Sequence, residues 1–189
     1  SSFTSGDPRM DATVIFLGET LDGITVTGDG STPDVTLDPA TGDTLEVECY
    51  NQKVWMPGSG PLDSWGSNVR ILRLADVLLI AAEALNENNK SGEALIQLNK
   101  VRQRARGGNP NILPDITVTN KDQLRDLIYA ERRSEMAMEL NRFFDLVRTG
   151  RAAQVLGPLG FQAGKHELLP IPQSEIDLSE GLLTQNPNW

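Results

Sequence analysis

Residues 130–150 read AERRSEMAMELNRFFDLVRTG, and within them Glu131, Glu135 and Glu139 recur every four residues. That spacing stacks side chains on one face of an α-helix. Arg132, Arg142, Asp145 and Arg148 continue the series, keeping opposite charges adjacent. Three carboxylates in a row admit metal ligation or acid–base chemistry, and both meet an objection. A carboxylate di-metal site draws histidine at helical spacing from the same bundle, whereas the only histidine, His166, falls in a proline-containing tail. Arg132 and Arg142 also stand three residues from Glu135 and Glu139. Charges are costly to bury unless fully paired, so Glu131, Arg132, Glu135, Glu139, Arg142, Asp145 and Arg148 read as a structural network, with Glu131, Arg132, Glu135 and Arg142 at least half buried. No catalytic residue, metal ligand or cofactor is expected.

Helices flank this segment upstream. Leu74, Val77, Leu78, Ala81, Ala82 and Leu85 follow three- and four-residue spacing and predict a helix over 72–88. Asn88–Lys90 reads as a turn, with Ser91 as N-cap of a second helix that carries Ala94, Leu98, Val101 and Ala105 on one stripe and ends at Gly107–Gly108. The pair makes one αα-hairpin of the tetratricopeptide kind, with no internal repeat. Residues 109–119 contain two prolines and predict an extended loop, and Asn120 with Gln123 suggests a capping box. A long helix then runs to about Leu140, a second covers 141–148, and irregular chain follows from Gly157, where glycine and proline recur.

Residues 1–66 are of another character. They hold nine glycines and five prolines, and eleven acids against two bases, which accounts for the whole net charge of −9. Runs at 12–17, 23–27 and 44–50 have the β-branched content of strands, so a hairpin or two is expected before a helical region over 67–189. With no basic stripe, nucleic acid is excluded as a partner. Cys49 is alone and reads as a buried, inert thiol. The acidic loop with Asp29, Asp34, Asp38 and Asp43 has no EF-hand spacing and reads as solvated chain rather than a calcium site. Trp55 and Trp65 lie in a Gly/Pro-rich stretch off any helix stripe. Loops display aromatic rings well, and a ring face stacks on the apolar face of a sugar. The two tryptophans are the candidate ligand-binding residues, against the simpler reading that they plug the loop onto the helices.

Several segments together resemble one family. These are Asp7–Ala12 (DPRMDA), Arg73–Leu79 with Ala82–Glu87, Leu98–Ala105, the Glu131–Arg148 series, and the tail from His166 to Pro172 and Leu183 to Pro187. In this order they are similar to the C-terminal part of SusD/RagB-type proteins. The resemblance implies a mainly α, tetratricopeptide-like scaffold with irregular loops and a short β element near the N-terminus. It implies a non-catalytic glycan-binding lipoprotein of the bacterial outer membrane that captures oligosaccharide or polysaccharide over a SusC-like TonB-dependent transporter. Members of the family are longer, so the chain reads as a fragment partnered by the upstream part of its parent, where the signal peptide and lipidated cysteine would lie. A fragment is expected to leave apolar side chains of the 72–85 helix open. Two rival classes are a tetratricopeptide-type protein-interaction scaffold, which predicts tandem hairpins, and an α-helical glycoside hydrolase, which needs two carboxylates facing a cleft.

Overall fold

A computed structural model describes residues 3–27, 35–37, 44–46, 49–55 and 71–189. The expected boundary at 66/67, Trp65, the turns near Asp29, Thr32 and Asp38, and the acidic loop lie outside the described residues. Two compact units are present, Ser1–Glu139 and Leu140–Trp189.

The first unit is built on three helices, α2 (Leu74–Glu87), α3 (Ser91–Arg106) and α4 (Lys121–Glu135), preceded by a one-turn helix α1 (Arg9–Thr13). Leu79, Ala82, Ala94, Leu98, Val101, Leu124 and Ile128 form the fully enclosed core between α2, α3 and α4. Small residues at Ala82 and Ala94 bring the two arms of the α2–α3 hairpin close. Lys90 N–H bonds the Leu85 carbonyl (2.9 Å) and Asn89 N–H bonds that of Asn86 (3.0 Å), while Asn89 takes φ 61°. This is a Schellman closure, with asparagine in the left-handed position that glycine usually fills. Ser91 was expected to cap α3, but it lies inside the helix and Lys90 occupies the cap position. Its hydroxyl instead meets Asn86 Oδ1 at 3.3 Å. Asn86 is wholly buried and donates to the Lys121 carbonyl at 2.8 Å, so one amide ties the hairpin turn to the start of α4. Asn120 caps α4 by accepting from Gln123 N–H at 3.1 Å. The 109–119 loop opens with a turn, closed by Ile112 N–H on the Asn109 carbonyl (3.2 Å), and only its second half runs without turns, clamped to α3 by Asn99, which both donates to and accepts from the Ile116 backbone (2.9 and 2.8 Å).

The helix expected to reach Leu140 stops at Glu135. Met, Ala, Glu and Leu all favour helix, so propensity does not stop it. Side chains from distant segments claim the carbonyls that would continue the ladder. Lys53 Nζ bonds the Glu135 and Ala137 carbonyls (both 2.9 Å), Arg73 Nη2 bonds Glu135 (2.6 Å), and Asn51 Nδ2 bonds Met138 (2.9 Å). The chain then turns with Met138 and Leu140 at φ 64° and 61°.

Strands precede this bundle as short antiparallel pairs: β1 (Val14–Phe16) with β6 (Cys49–Asn51), β2 (Thr20–Leu21) with β3 (Ile24–Thr25), and β4 (Val35–Leu37) with β5 (Thr44–Glu46). The β2–β3 turn is Asp22–Gly23, both at positive φ (52° and 78°), the two-residue turn that suits right-twisted strands. Cys49 is exposed rather than buried: it opens β6, opposite Phe16 of β1, with its side chain on a face left open to solvent.

The second unit holds α5 (Arg142–Arg148), α6 (Ala152–Leu156) and α7 (Gln173–Leu178). A second Schellman closure, with Gly150 at φ 69°, ends α5. Helix α7 corrects the expectation of wholly irregular chain after Gly157. Pro172 sets an extended entry and Gln173 opens the turn, as proline before a helix permits. On α2, Leu74 (72%), Val77 (43%) and Ile80 (49%) remain exposed. No described helix is long and apolar enough to cross a membrane.

Replacing Asn86 with alanine removes the buried amide that joins the Ser91 hydroxyl to the Lys121 carbonyl. The expected cost is about 1–3 kcal/mol in urea unfolding, with the transition midpoint lowered and its steepness unchanged.

Candidate functional site

Two features of the first unit concern function: the charged face of α4 and a concave surface beside Trp55. On α4, Glu131 and Glu135 are almost wholly buried, yet their partners are not the arginines nearby in sequence. Arg9 Nη1 reaches both Glu131 (2.6 Å) and Glu135 (3.1 Å), and its remaining donors engage Asp7 at 2.7–3.2 Å. Arg102 bonds the other oxygen of Glu131 (2.5 Å), and Arg73 and Arg104 both bond Glu135 Oε1 (2.5 Å each). Arg73 also bridges both oxygens of Glu139 (2.8 Å each), which Lys53 meets at 2.6 Å. Arg132 instead crosses to Asp76 on α2. In the second unit, Arg142 opens α5 and is partly buried, and Arg148 Nε bonds Asp145 at 2.9 Å.

The electrostatics follow from this pairing. Burial pushes the Glu139 carboxyl up, but the bonds from Arg73 and Lys53 outweigh it and hold the group below its ordinary value. Asp7 shows the same balance, with burial overcome by Arg9. Burial dominates at Lys53 and lowers its ammonium despite Glu139. Burial alone would also lower the guanidiniums of Arg9 and Arg73, but their carboxylate partners raise them. Every carboxylate on this face is thus committed to cations, and no buried polar side-chain atom among the described residues lacks a partner.

Sequence reasoning placed the acids and missed most of their partners. Arg9, Lys53, Arg73, Asp76, Arg102 and Arg104 are 29 to 126 residues away from the α4 groups they bond, beyond any helical spacing rule, and Asp7 joins through Arg9. One signal was available: the 1–66 segment has only two bases, Arg9 and Lys53, and both are drawn into this network.

Trp55 lies just beyond a short 3₁₀ turn (Gln52–Val54) that follows β6. Its indole N–H donates to Asp22 Oδ2 in the β2–β3 turn at 2.9 Å, which fixes the ring plane. With Tyr50, Ile15, Ile24, Val26 and Thr27 it lines a cavity of about 310 Å³. Neither Asp22 nor Tyr50 was singled out from sequence, since their roles depend on strand pairing. Trp65, the second tryptophan proposed from sequence, is outside the described residues. His166 accepts from Gln162 N–H through Nδ1 (3.0 Å) and sits between Phe161 and Trp189, with ring centroids 5.8 and 5.5 Å away, as part of the packing of the second unit.

The family model described as the SusD family matches residues 1–164. The SusD-like protein P2 of Formosa agariphila is 38% identical over 150 residues, covering 74% of this chain and 29% of that protein. A SusD homolog from Bacteroides thetaiotaomicron superposes with a TM-score of 0.73 at 26% identity, over 97% of this chain and 41% of the other. The surface glycan-binding protein A from Bacteroides thetaiotaomicron superposes with a TM-score of 0.66 at 29% identity, over 99% and 39%. The chain therefore spans less than a third of the length of the curated relative and about two fifths of the solved ones.

Glu135→Ala takes a shared carboxylate from Arg9, Arg73 and Arg104, leaving Arg9 with Asp7 and Glu131 and Arg73 with Glu139, and is expected to cost roughly 1.5–3 kcal/mol in denaturant unfolding. Acid gives a second check. The carboxyls of Glu139 and Asp7 titrate below their ordinary 4.5 and 3.8 when folded. Their stabilisation is complete above those values and is lost as pH falls through the lower folded ones. The urea midpoint is expected to drop as pH is lowered to about 3, and Glu139→Gln is expected to flatten that drop.

Proposed function

The chain belongs to the SusD family, and from that premise we propose that it is part of a cell-surface protein that captures oligosaccharide or polysaccharide without cleaving it. The observation that carries the reading to particular residues is the Trp55 concavity. Its indole is held by Asp22, Tyr50 stands beside it, and the walls are apolar. An immobilised aromatic face accepts the C–H face of a pyranose at little entropic cost. Trp65 is proposed as a second stacking ring. The name of the solved relative from Bacteroides thetaiotaomicron, a surface glycan-binding protein, supports the ligand class.

The absence of catalysis belongs to the same proposal. A glycosidase needs one carboxylic acid and one carboxylate facing the scissile bond. Glu131, Glu135 and Glu139 are occupied by guanidinium or ammonium partners instead. The whole protein would sit at the outer membrane by a lipid anchor and deliver glycan to a SusC-like TonB-dependent transporter. The network on Glu131, Arg132, Glu135, Glu139, Arg142, Asp145 and Arg148 serves as scaffold in this reading.

Affinity electrophoresis in gels containing neutral polysaccharides tests it, together with an assay for released reducing ends. Retention on at least one glycan, with dissociation constants on the order of millimolar and no release, is the expected result. Trp55→Ala should weaken retention about three- to tenfold, the worth of one stacked ring. Unchanged binding in Trp55→Ala would move the site elsewhere, and sugar release would overturn the non-catalytic reading.

A further inference from the structure

Asp22 has two roles open to it at the Trp55 concavity, and the second bears on which glycans fit. One carboxylate oxygen, Oδ2, accepts the indole N–H at 2.9 Å. The residue is exposed, in the left-handed first position of a two-residue turn, and among the described residues its other oxygen bonds no protein group. A full negative charge therefore stands at the polar edge of the ring, with one oxygen turned to solvent. A carboxylate accepts hydrogen bonds and cannot donate them, so it pairs with sugar hydroxyls and repels carboxylate or sulfate substituents.

Charge around the cavity is not balanced locally. Residues 1–66 contain only two cationic side chains, Arg9 and Lys53. Arg9 is spent on Asp7, Glu131 and Glu135, and Lys53 on Glu139 and two carbonyls of the α4 end. None of the described residues lining the concavity is cationic. Glu19, in the same hairpin, is exposed and uses one oxygen to accept from Phe16 N–H at 2.8 Å. The two bases that would have offset the acids of this segment have been drawn into the helical network.

We infer that Asp22 is a specificity-determining residue that makes the Trp55 site select neutral glycans over uronate- or sulfate-bearing ones. The inference rests on the capture reading and adds the ligand's charge class to it. A like charge at an exposed site costs little in absolute terms but acts on every anionic unit that approaches the ring.

The test uses the whole chain and a matched pair of probes, laminarin and laminarin oxidised to carboxylate at its primary alcohols, with a mannan and an alginate as a second pair. Affinity electrophoresis or calorimetry at low and high salt gives the ratio of dissociation constants. Neutral probes should bind at least about threefold to fivefold tighter than their anionic counterparts, the scale of one exposed charge contact, and added salt should narrow the gap. Asp22→Asn keeps an oxygen acceptor for the indole and suits the turn, since asparagine favours that position, so it isolates the charge. It should bring the ratio to about twofold or below, whatever it does to neutral binding. Glu19→Gln, a second folded variant, should narrow the ratio less. An anionic probe bound as tightly as its neutral partner, or a ratio unmoved in Asp22→Asn, overturns the inference while leaving glycan capture standing. Retention of no glycan at all refutes the capture reading, and this inference with it.

Discussion

Glu135 is buried at the end of α4, and its carboxylate is shared by Arg9 from the N-terminal turn, Arg73 from the entry to α2 and Arg104 from α3. Its carbonyl receives Arg73 and Lys53 as well. The N-terminal turn, the entry to α2, α3 and the segment that carries Lys53 are thereby joined at one residue. A buried anion of this kind is tolerated only when its partners are all present, so the position of each segment is conditional on the others. The aliphatic core of Leu79, Leu98, Leu124 and Ile128 holds the three helices together. The N-terminal turn and the strand-bearing segment are held by charge.

Much of the helical part could be read from spacing alone. The α2–α3 hairpin appeared within two residues of its expected start, because Leu79, Ala82, Leu98 and Val101 declare a single buried stripe. Asn120 capped α4 as its side-chain chemistry requires. What spacing could not give was the end of α4, since no local residue between Met136 and Leu140 breaks a helix. The terminator is a lysine 82 residues away bonding the Glu135 carbonyl. The short helix α7 and the exposed Cys49 were missed for a related reason: each is decided by what lies beside the segment, and not by its own composition.

The acids of the candidate site were similarly half legible. Glu131, Glu135 and Glu139 stood out by period, whereas nothing within a helical turn of them indicates Arg9 or Arg73. Trp55 was visible as an aromatic in a loop, but the groups that give it orientation, Asp22 and the turn at Gly23, come into view only when β2 and β3 are paired. Site residues recruited across strands leave no periodic trace, which is why a ring can be found in sequence before its setting can.

The long reach of the Arg9–Glu131 pair, 122 residues apart in sequence, also orders events in time. Helices α2, α3 and α4 are near neighbours along the chain and can assemble with short loop closures, whereas Arg9 must search across a much larger loop. Until Arg9 arrives, Glu131 and Glu135 have the α3 guanidiniums of Arg102 and Arg104 but lack the one that joins the two carboxylates to each other. Arg9 also emerges in synthesis well before its two acceptors, which lie 122 and 126 residues later. The turn that carries Arg9 is consequently made before α4 and can be secured only after it, so the part of the chain that waits is the one already synthesised.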